Sequence, residues 1–395
     1  MDAGSIAWLL TASALVLLMT PGLAFFYGGL VRAKNVLNLM MQCFMIMGLV
    51  SITWVLWGYT LAFGPSIGGF VGGLDHLGLA GIHGAEAQSF AMFQMMFAII
   101  TPALIVGAVA DRFKFTSLIV FVALWSTLVY SPIAHWVWAS GGWLFEMGAL
   151  DFAGGTVVHI SSGFSALVAA IVIGKRSGKL DNFKPHNIPY VLLGTGLLWF
   201  GWFGFNAGSS LAADGIAVNA FLVTNTSAAA GALMMMFLSM RATGKPSAIM
   251  TATGAVAGLV AITPASGFVG PVAAILIGAG VGLVSWFAIQ FKNQRGWDDS
   301  LDVWAVHGMG GVWGALATGL FASAAYGVGV DGIFSGGDIS VLTTQIIAVV
   351  ATIAYAGIVT FIILKALDNT IGLRVDAKDE QAGMDISVHA EEAYN

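Results

Sequence analysis

Apolar runs of about 20 residues, each long enough to cross a bilayer, follow one another along almost the whole chain. We count eleven, at 5–31, 36–63, 88–110, 115–134, 152–174, 188–210, 216–240, 247–263, 270–291, 301–322 and 340–367. Inside lipid such a run must satisfy its backbone polar groups within itself, which makes it a helix. The sequence therefore predicts an all-α membrane protein. The eighth and ninth runs are parted only by a short break containing Thr263, Pro264, Ser266 and Gly267. Composition supports the same class: 9% of the residues are charged, against about 25% in a soluble domain, so a water-soluble fold would expose large apolar patches. A net charge of −5 without basic runs argues against nucleic-acid binding. Cys43 is the single cysteine, which excludes an intrachain disulfide or a cysteine metal cluster. The start, Met1-Asp2-Ala3-Gly4-Ser5, lacks the basic region of a cleavable signal, so the first run reads as a mature helix.

The basic residues orient the chain. Arg32 and Lys34 follow the first run, Arg112 and Lys114 the third, and Lys175, Arg176, Lys179 and Lys184 the fifth. Arg241 and Lys245 follow the seventh, Lys292 and Arg295 the ninth, and Lys365, Arg374 and Lys378 lie at or beyond the end of the eleventh. All 15 fall on one side, which predicts the N-terminus outside and the C-terminus inside. A wrong count would scatter them over both sides.

The spans divide into two fives plus one. Ile100-Thr101-Pro102-Ala103 in the third run matches Ile262-Thr263-Pro264-Ala265 at the end of the eighth. Leu150-Asp151 before the fifth matches Leu301-Asp302 at the tenth. With an odd number of spans per half, helices 1–5 and 6–10 form an inverted repeat, a transporter plan whose site lies at the repeat interface. The expected organisation is a membrane unit over 1–367, with halves at about 5–174 and 188–322 and a further helix at 340–367, then a cytoplasmic tail over 368–395. Taken by itself the tail reads as a solvated linker.

Polar residues within spans are costly and mark function. His159 lies roughly 12 Å below the outer surface and His307 roughly 8–9 Å above the inner one, at 1.5 Å per residue, so both fall in mid-membrane but somewhat apart. They are either two structural histidines, each bonded to a carbonyl, or a pair lining a conduction path. Burial favours the neutral ring, which offers one donor and one acceptor and so suits a small substrate that can shed a proton. No carboxylate or thiol stands at metal-ligand spacing beside them. Asp151 reads most simply as a helix N-cap, with an added pull on cations left open; eight residues place it about 80° around the helix from His159. Trp138, expected in the loop after the fourth span, could join Phe93, Phe97, Phe205 and Ser209 at the outer mouth. That group is either an aromatic wall attracting cations or an interfacial aromatic belt.

Several motifs resemble those of the ammonium transporter (Amt/Rh) family, Amt type. They are Phe26-Tyr27-Gly28-Gly29-Leu30-Val31-Arg32, the stretch from Asp151 through Gly154-Gly155 to His159, Trp202-Phe203-Gly204-Phe205-Asn206-Ala207-Gly208-Ser209, and His307-Gly308-Met309-Gly310-Gly311-Val312-Trp313. The tail from Gly372 through Gly383-Met384-Asp385 to Tyr394 is similar too. One departure is the loop from Trp138 to Asp151, a residue longer than the family pattern. The resemblance implies a homotrimer with one pore per subunit and a tail that couples the subunits. It implies an outer ammonium recruitment site at Trp138, Phe97, Phe205 and Ser209, with Phe97 and Phe205 as a gate below. His159 and His307 would be twin pore histidines, Asp151 would support the site, and Trp202, Phe93 and Thr263 would line the route. The expected substrates are ammonium, ammonia and methylammonium, with no cofactor, in a cell membrane. In many microbial members a PII-type signalling protein blocks the cytoplasmic face. The rival readings are a passive gas channel of Rh type for ammonia or carbon dioxide, and an ammonium sensor acting through its tail. A membrane enzyme has no nucleophile–base pair or metal spacing to support it.

Overall fold

The computed structural model describes residues 1–178, 183–327 and 329–394; Lys179, one of the orienting cations, lies outside them. The described chain is almost wholly helical. Its long elements are α1 (Ala3–Leu30), α2 (Ala33–Phe63), α3 (Ala85–Val109), α4 (Phe115–Trp125, a π turn Ser126–Tyr130, then Ser131–Trp138), α5 (Gly155–Ile173), α6 (Ile188–Gly208), α7 (Gly215–Thr243), α8 (Ala248–Ile262), α9 (Pro271–Arg295), α10 (Trp304–Gly308 continuing as Met309–Phe321) and α11 (Ile339–Thr370). Among the described residues nine helices are long and apolar enough to cross a membrane; α8 is apolar but shorter, and α10 is not among the nine.

The helices pack through small residues. α1 lies along α6, where a β-carbon on Gly194, Gly201 or Gly204 would strike α1, the packing mode expected where lipid removes any hydrophobic drive between helices. α4 runs further than expected. The expected end of this run is 134. The helix nevertheless continues to Trp138, because the buried His135 ring is held by Ala62 O at 2.9 Å and Ser66 Oγ at 2.8 Å. Trp138 is thus a helix terminus rather than a loop residue. At the same end of the bundle a two-residue hairpin (Ser66–Ile67 with Val71–Gly72) and a short helix (Trp143–Glu146) lie over the loops.

The loops bearing basic residues meet at the opposite end. Arg176 pairs with Asp298 at 2.7 Å and with Asp111 at 3.6 Å, and Arg32 reaches Asp111 at 3.1 Å. Burial pushes the Asp298 carboxyl up, but Arg176 outweighs it and holds the group below its usual range. Arg112 is buried and donates to Gly174 O, Ala110 O, Ser300 Oγ and Asp298 O; burial lowers its guanidinium to about 10.

The tail is not a solvated linker. Leu373 and Val375 pair with Lys114 and Arg112 through backbone bonds of 2.8 and 3.1 Å. Arg374 meets Glu380 at 2.7 Å, and Glu380 also accepts from Ser177 N and Oγ. The Asp385 carboxylate accepts Leu37 N–H and Asn38 N–H at 3.1 and 2.8 Å and caps the start of the long part of α2. These partners lie in the chain's own loops, and sequence spacing within a polar segment does not encode them.

Burial raises the Glu380 carboxyl, but its bonds to Arg374 and Ser177 outweigh burial, and the net shift is downward. Docking strength from this group is therefore complete above the ordinary glutamate range (~4.3) and is lost as pH falls through the lowered value. Proteolysis of the tail should be constant from neutral pH to about 5 and rise sharply below about 4. Glu380→Gln should weaken docking by about 1.5–3 kcal/mol and expose the tail to protease at neutral pH.

Candidate functional site

Two helix starts are buried, one toward each end of the bundle. α5 begins with a π turn, Gly155–Ile160, and α10 with another, Trp304–Gly308. Such turns are rare and are often found at functional sites; here each carries a histidine. A helix start leaves N–H groups without partners, and in an apolar interior these need an acceptor. At α5 the Asp151 carboxylate accepts Gly154 N–H at 2.8 Å, Gly155 N–H at 2.5 Å, Thr156 N–H at 2.8 Å and Val157 N–H at 3.2 Å, and also takes the Thr156 hydroxyl. At α10 the Asp299 carboxylate accepts Val303 N–H at 3.1 Å and Trp304 N–H at 2.8 Å. Burial raises the Asp299 carboxyl above its ordinary range, against the opposing pull of Lys292.

Each carboxylate stands eight residues before its histidine. The residue matched to Asp151 on sequence was Asp302. The structure corrects this: Asp302 has positive φ (60°) and pairs with Lys292 at 2.6 Å, while Asp299 does the capping. Three acids crowd that loop, and the shared spacing to histidine is the signal that separates them.

The histidines touch. His307 Nδ1 lies 3.2 Å from His159 Nδ1, with ring centroids 5.3 Å apart and planes 22° from parallel. The depth arithmetic leaves them further apart because it starts both helices at the membrane surfaces, whereas Asp151 and Asp299 are already buried. The meeting needs bare backbone: a β-carbon on Gly163 would sit 2.1 Å from Gly308 N. One Nδ1 donates and the other accepts, so either ring can carry the shared proton. His159 Nε2 is buried with no protein partner.

Around the rings is a small cavity, about 10 Å³, lined by Met19, Leu23, Ile100, Leu104, Val158, Leu198, Trp202, Phe205 and Val256 besides the histidines. That is at the threshold for one water. Trp202 stacks on His159 at 5.4 Å and 19°, and its indole N–H donates to Thr263 Oγ1 at 2.9 Å. Phe97 and Phe205 stack at 4.2 Å and 32° and are both fully buried.

On the other side of that pair is a second cavity of about 120 Å³, lined by Phe63, Phe90, Gln94, Phe97, Trp138, Phe152, Ser209 and Leu211. Trp138 meets Phe97 edge-on at 5.8 Å, and its N–H donates to Asp151 O at 2.9 Å. Ser209 donates its hydroxyl to Phe205 O at 2.9 Å, which leaves its lone pairs free to accept. Phe205 therefore lines one cavity and Phe97 the other.

The geometry gathers Trp138, Phe97, Phe205, Ser209, His159, His307 and Trp202 along one line. It does not put Phe93 or Thr263 on the walls of these two cavities. Phe93 packs behind Phe97 at 4.9 Å, and Thr263 stands behind Trp202. Gln94 was missed: its Oε1 is buried and unpartnered. One turn of α3 beyond Phe90 and three residues before Phe97, it falls on their face, a pattern visible in the sequence.

Residues 7–394 match the model of the Ammonium Transporter Family. The chain is 48% identical over 395 residues, covering all of both chains, to the ammonium transporter Amt1 of Archaeoglobus fulgidus. The crystal structure of Saccharomyces cerevisiae Mep2 is similar with a TM-score of 0.89 at 36% identity, over 96% of this chain and 89% of that one. A structure described as a sensor Amt protein is similar with a TM-score of 0.92 at 30% identity, over 98% of each chain.

The contact of α5 with α10 gives a packing test. Gly163→Ala should force the backbones apart and lower stability by about 1–3 kcal/mol, read as a depressed thermal midpoint in detergent. Gly48→Ala, where nothing lies within 4 Å of the added carbon, should stay within about 0.5 kcal/mol of the parent.

Proposed function

This chain belongs to the Ammonium Transporter Family, and from that premise we propose that it takes up ammonium by recruiting the cation, removing its proton and conducting neutral ammonia. The family and the apolar helices make it a multi-pass membrane protein. Our reading sets eleven spans across a cell membrane, the N-terminus outside and the tail inside, with helices 1–5 and 6–10 as inverted halves. It is supported by the meeting of the basic loops at one end, and by a carboxylate cap, a π turn and a histidine recurring at one spacing in α5 and α10. The homotrimer and a PII-type partner at the basic face come with the family resemblance.

The aromatic cavity is then the outer mouth. A hydrated ammonium ion exchanges water for the faces of Trp138 and Phe97, each worth about 0.5–2 kcal/mol to a cation, with Phe205 stacked behind Phe97. Its N–H groups find acceptors in the Ser209 lone pairs and in Gln94 Oε1. Beyond the Phe97–Phe205 pair the walls are hydrocarbon and indole, where an isolated charge is heavily penalised. The ion gives up its proton to water at the mouth, ammonia slips past the phenyl rings once they rotate, and the proton crosses separately by way of the histidine pair, so that one positive charge moves per ammonia. The histidines offer it an acceptor or a donor by moving the proton they share. Potassium has no proton to lose and stops at the mouth. Asp151 acts at one remove, holding α5 and, through its carbonyl, the Trp138 indole.

The observation that carries this reading is the 3.2 Å contact between two imidazoles in a passage otherwise without polar side chains. Replacing both His159 and His307 with leucine should abolish selective electrogenic ammonium current on solid-supported membranes; unchanged current and selectivity would refute the relay. A gas channel would give no current in the parent protein. Trp138→Leu should raise the half-saturating methylammonium concentration about three- to thirty-fold while leaving the maximal rate nearly intact.

A further inference from the structure

α11 is the most apolar of the long helices and belongs to neither five-helix half, yet it carries a glutamine deep in its buried face. Gln345 is 1% exposed. A carboxamide inside such a helix is expensive unless all its groups are used. Here they are: Oε1 accepts Leu150 N–H at 2.7 Å, and Nε2 donates to Leu150 O at 2.8 Å and to Ala315 O at 3.0 Å. One side chain takes both backbone groups of Leu150, as a neighbouring strand would, and ties them to α10.

Leu150 has no helix or strand of its own to satisfy it. It directly precedes Asp151, whose carbonyl holds the Trp138 indole at 2.9 Å and whose carboxylate caps α5. Ala315 lies one turn beyond Gly311, where a β-carbon would press on His159 Cβ at 3.1 Å. The amide of Gln345 thus joins three elements at the level where the aromatic mouth and the start of α5 are built.

We propose that Gln345 is a positioning residue for the outer cation site: α11 fixes the Leu150–Asp151 peptide and through it sets the height of Trp138 over Phe97. The inference rests on the recruitment reading above. A side chain serving stability alone would change how much protein folds. A positioning residue changes how tightly the mouth holds its cation.

The test is methylammonium uptake in vesicles at fixed potential, with rates referred to folded protein. Gln345→Leu should raise the half-saturating concentration about ten-fold, equivalent to ~1.4 kcal/mol, with the maximal rate within about two-fold of the parent. Gln345→Glu keeps the acceptor for Leu150 N–H and loses the paired N–H donors, so its half-saturation should fall between the two. Thr360→Val, which breaks a different buried contact of α11, with Ser165 Oγ at 2.8 Å, should leave half-saturation unchanged. Equal rises in Thr360→Val and Gln345→Leu would overturn the proposal, because loosening of α11 would then account for both. If Trp138→Leu weakens half-saturation and Gln345→Leu does not, the positioning role alone fails. If neither moves it, the recruitment reading fails. Should Gln345→Leu not reach the membrane, Gln345→Glu decides by the same comparison.

Discussion

A helix whose first turn is buried leaves several N–H groups with neither water nor carbonyl to accept them. The fold depends on solving this twice. The solutions are two carboxylates, Asp151 and Asp299, each folded back onto the first turn of its own helix. Once α5 and α10 can start below the surface, their histidines come to one depth. Gly163 and Gly308 then let the helices close until the rings touch. The aromatic mouth follows from the same device, since the peptide that supplies the Asp151 cap also supplies the carbonyl that holds Trp138.

Charge placement inside the bundle obeys one rule. The acids among the helix starts are spent on backbone N–H groups, and the cations gather at one end among Asp111, Asp298 and Glu380. Between them the passage has only imidazole, indole, phenyl and hydrocarbon. The Asp151 carboxylate already accepts four N–H groups and a hydroxyl, which leaves it little capacity for a direct bond to a passing cation.

The sequence was most informative where a physical length or an exclusion acts alone. Bilayer thickness dictates how long an apolar run must be, and most helices end within a few residues of the expected bounds. Translocation disfavours basic loops, and the loops bearing them do meet at one end. Legibility fails where partners are chosen in three dimensions. The end of α4 falls at Trp138 rather than 134, where the His135 ring donates to Ala62 O of α2 and meets the Ser66 hydroxyl of the hairpin, partners 73 and 69 residues away in sequence. Leu301-Asp302 matches Leu150-Asp151 as a dipeptide, but the cap is Asp299, and spacing to histidine is what the geometry respects. The family resemblance implies Thr263 and Phe93 as lining, yet in the structure they back Trp202 and Phe97 rather than form the walls of the two cavities. Polarity makes the tail read as a linker, yet its buried acids Glu380 and Asp385 are held by Arg374 within the tail, by Ser177 in the α5–α6 loop and by two N–H groups in the first turn of α2.

The cross-bracing of the two ends bears on how such a molecule could move. Arg176, in the loop after α5, grips Asp298, in the loop before α10, and the tail is laid over the α1–α2, α3–α4 and α5–α6 connections. At the opposite end Phe152 N–H bonds Pro264 O at 3.1 Å, and Gln345 ties Leu150 to α10. A rocker-switch cycle would have to sever these seams on every turnover. Stitched at top and bottom, the bundle is better suited to act as a stationary sluice than as a rocking one.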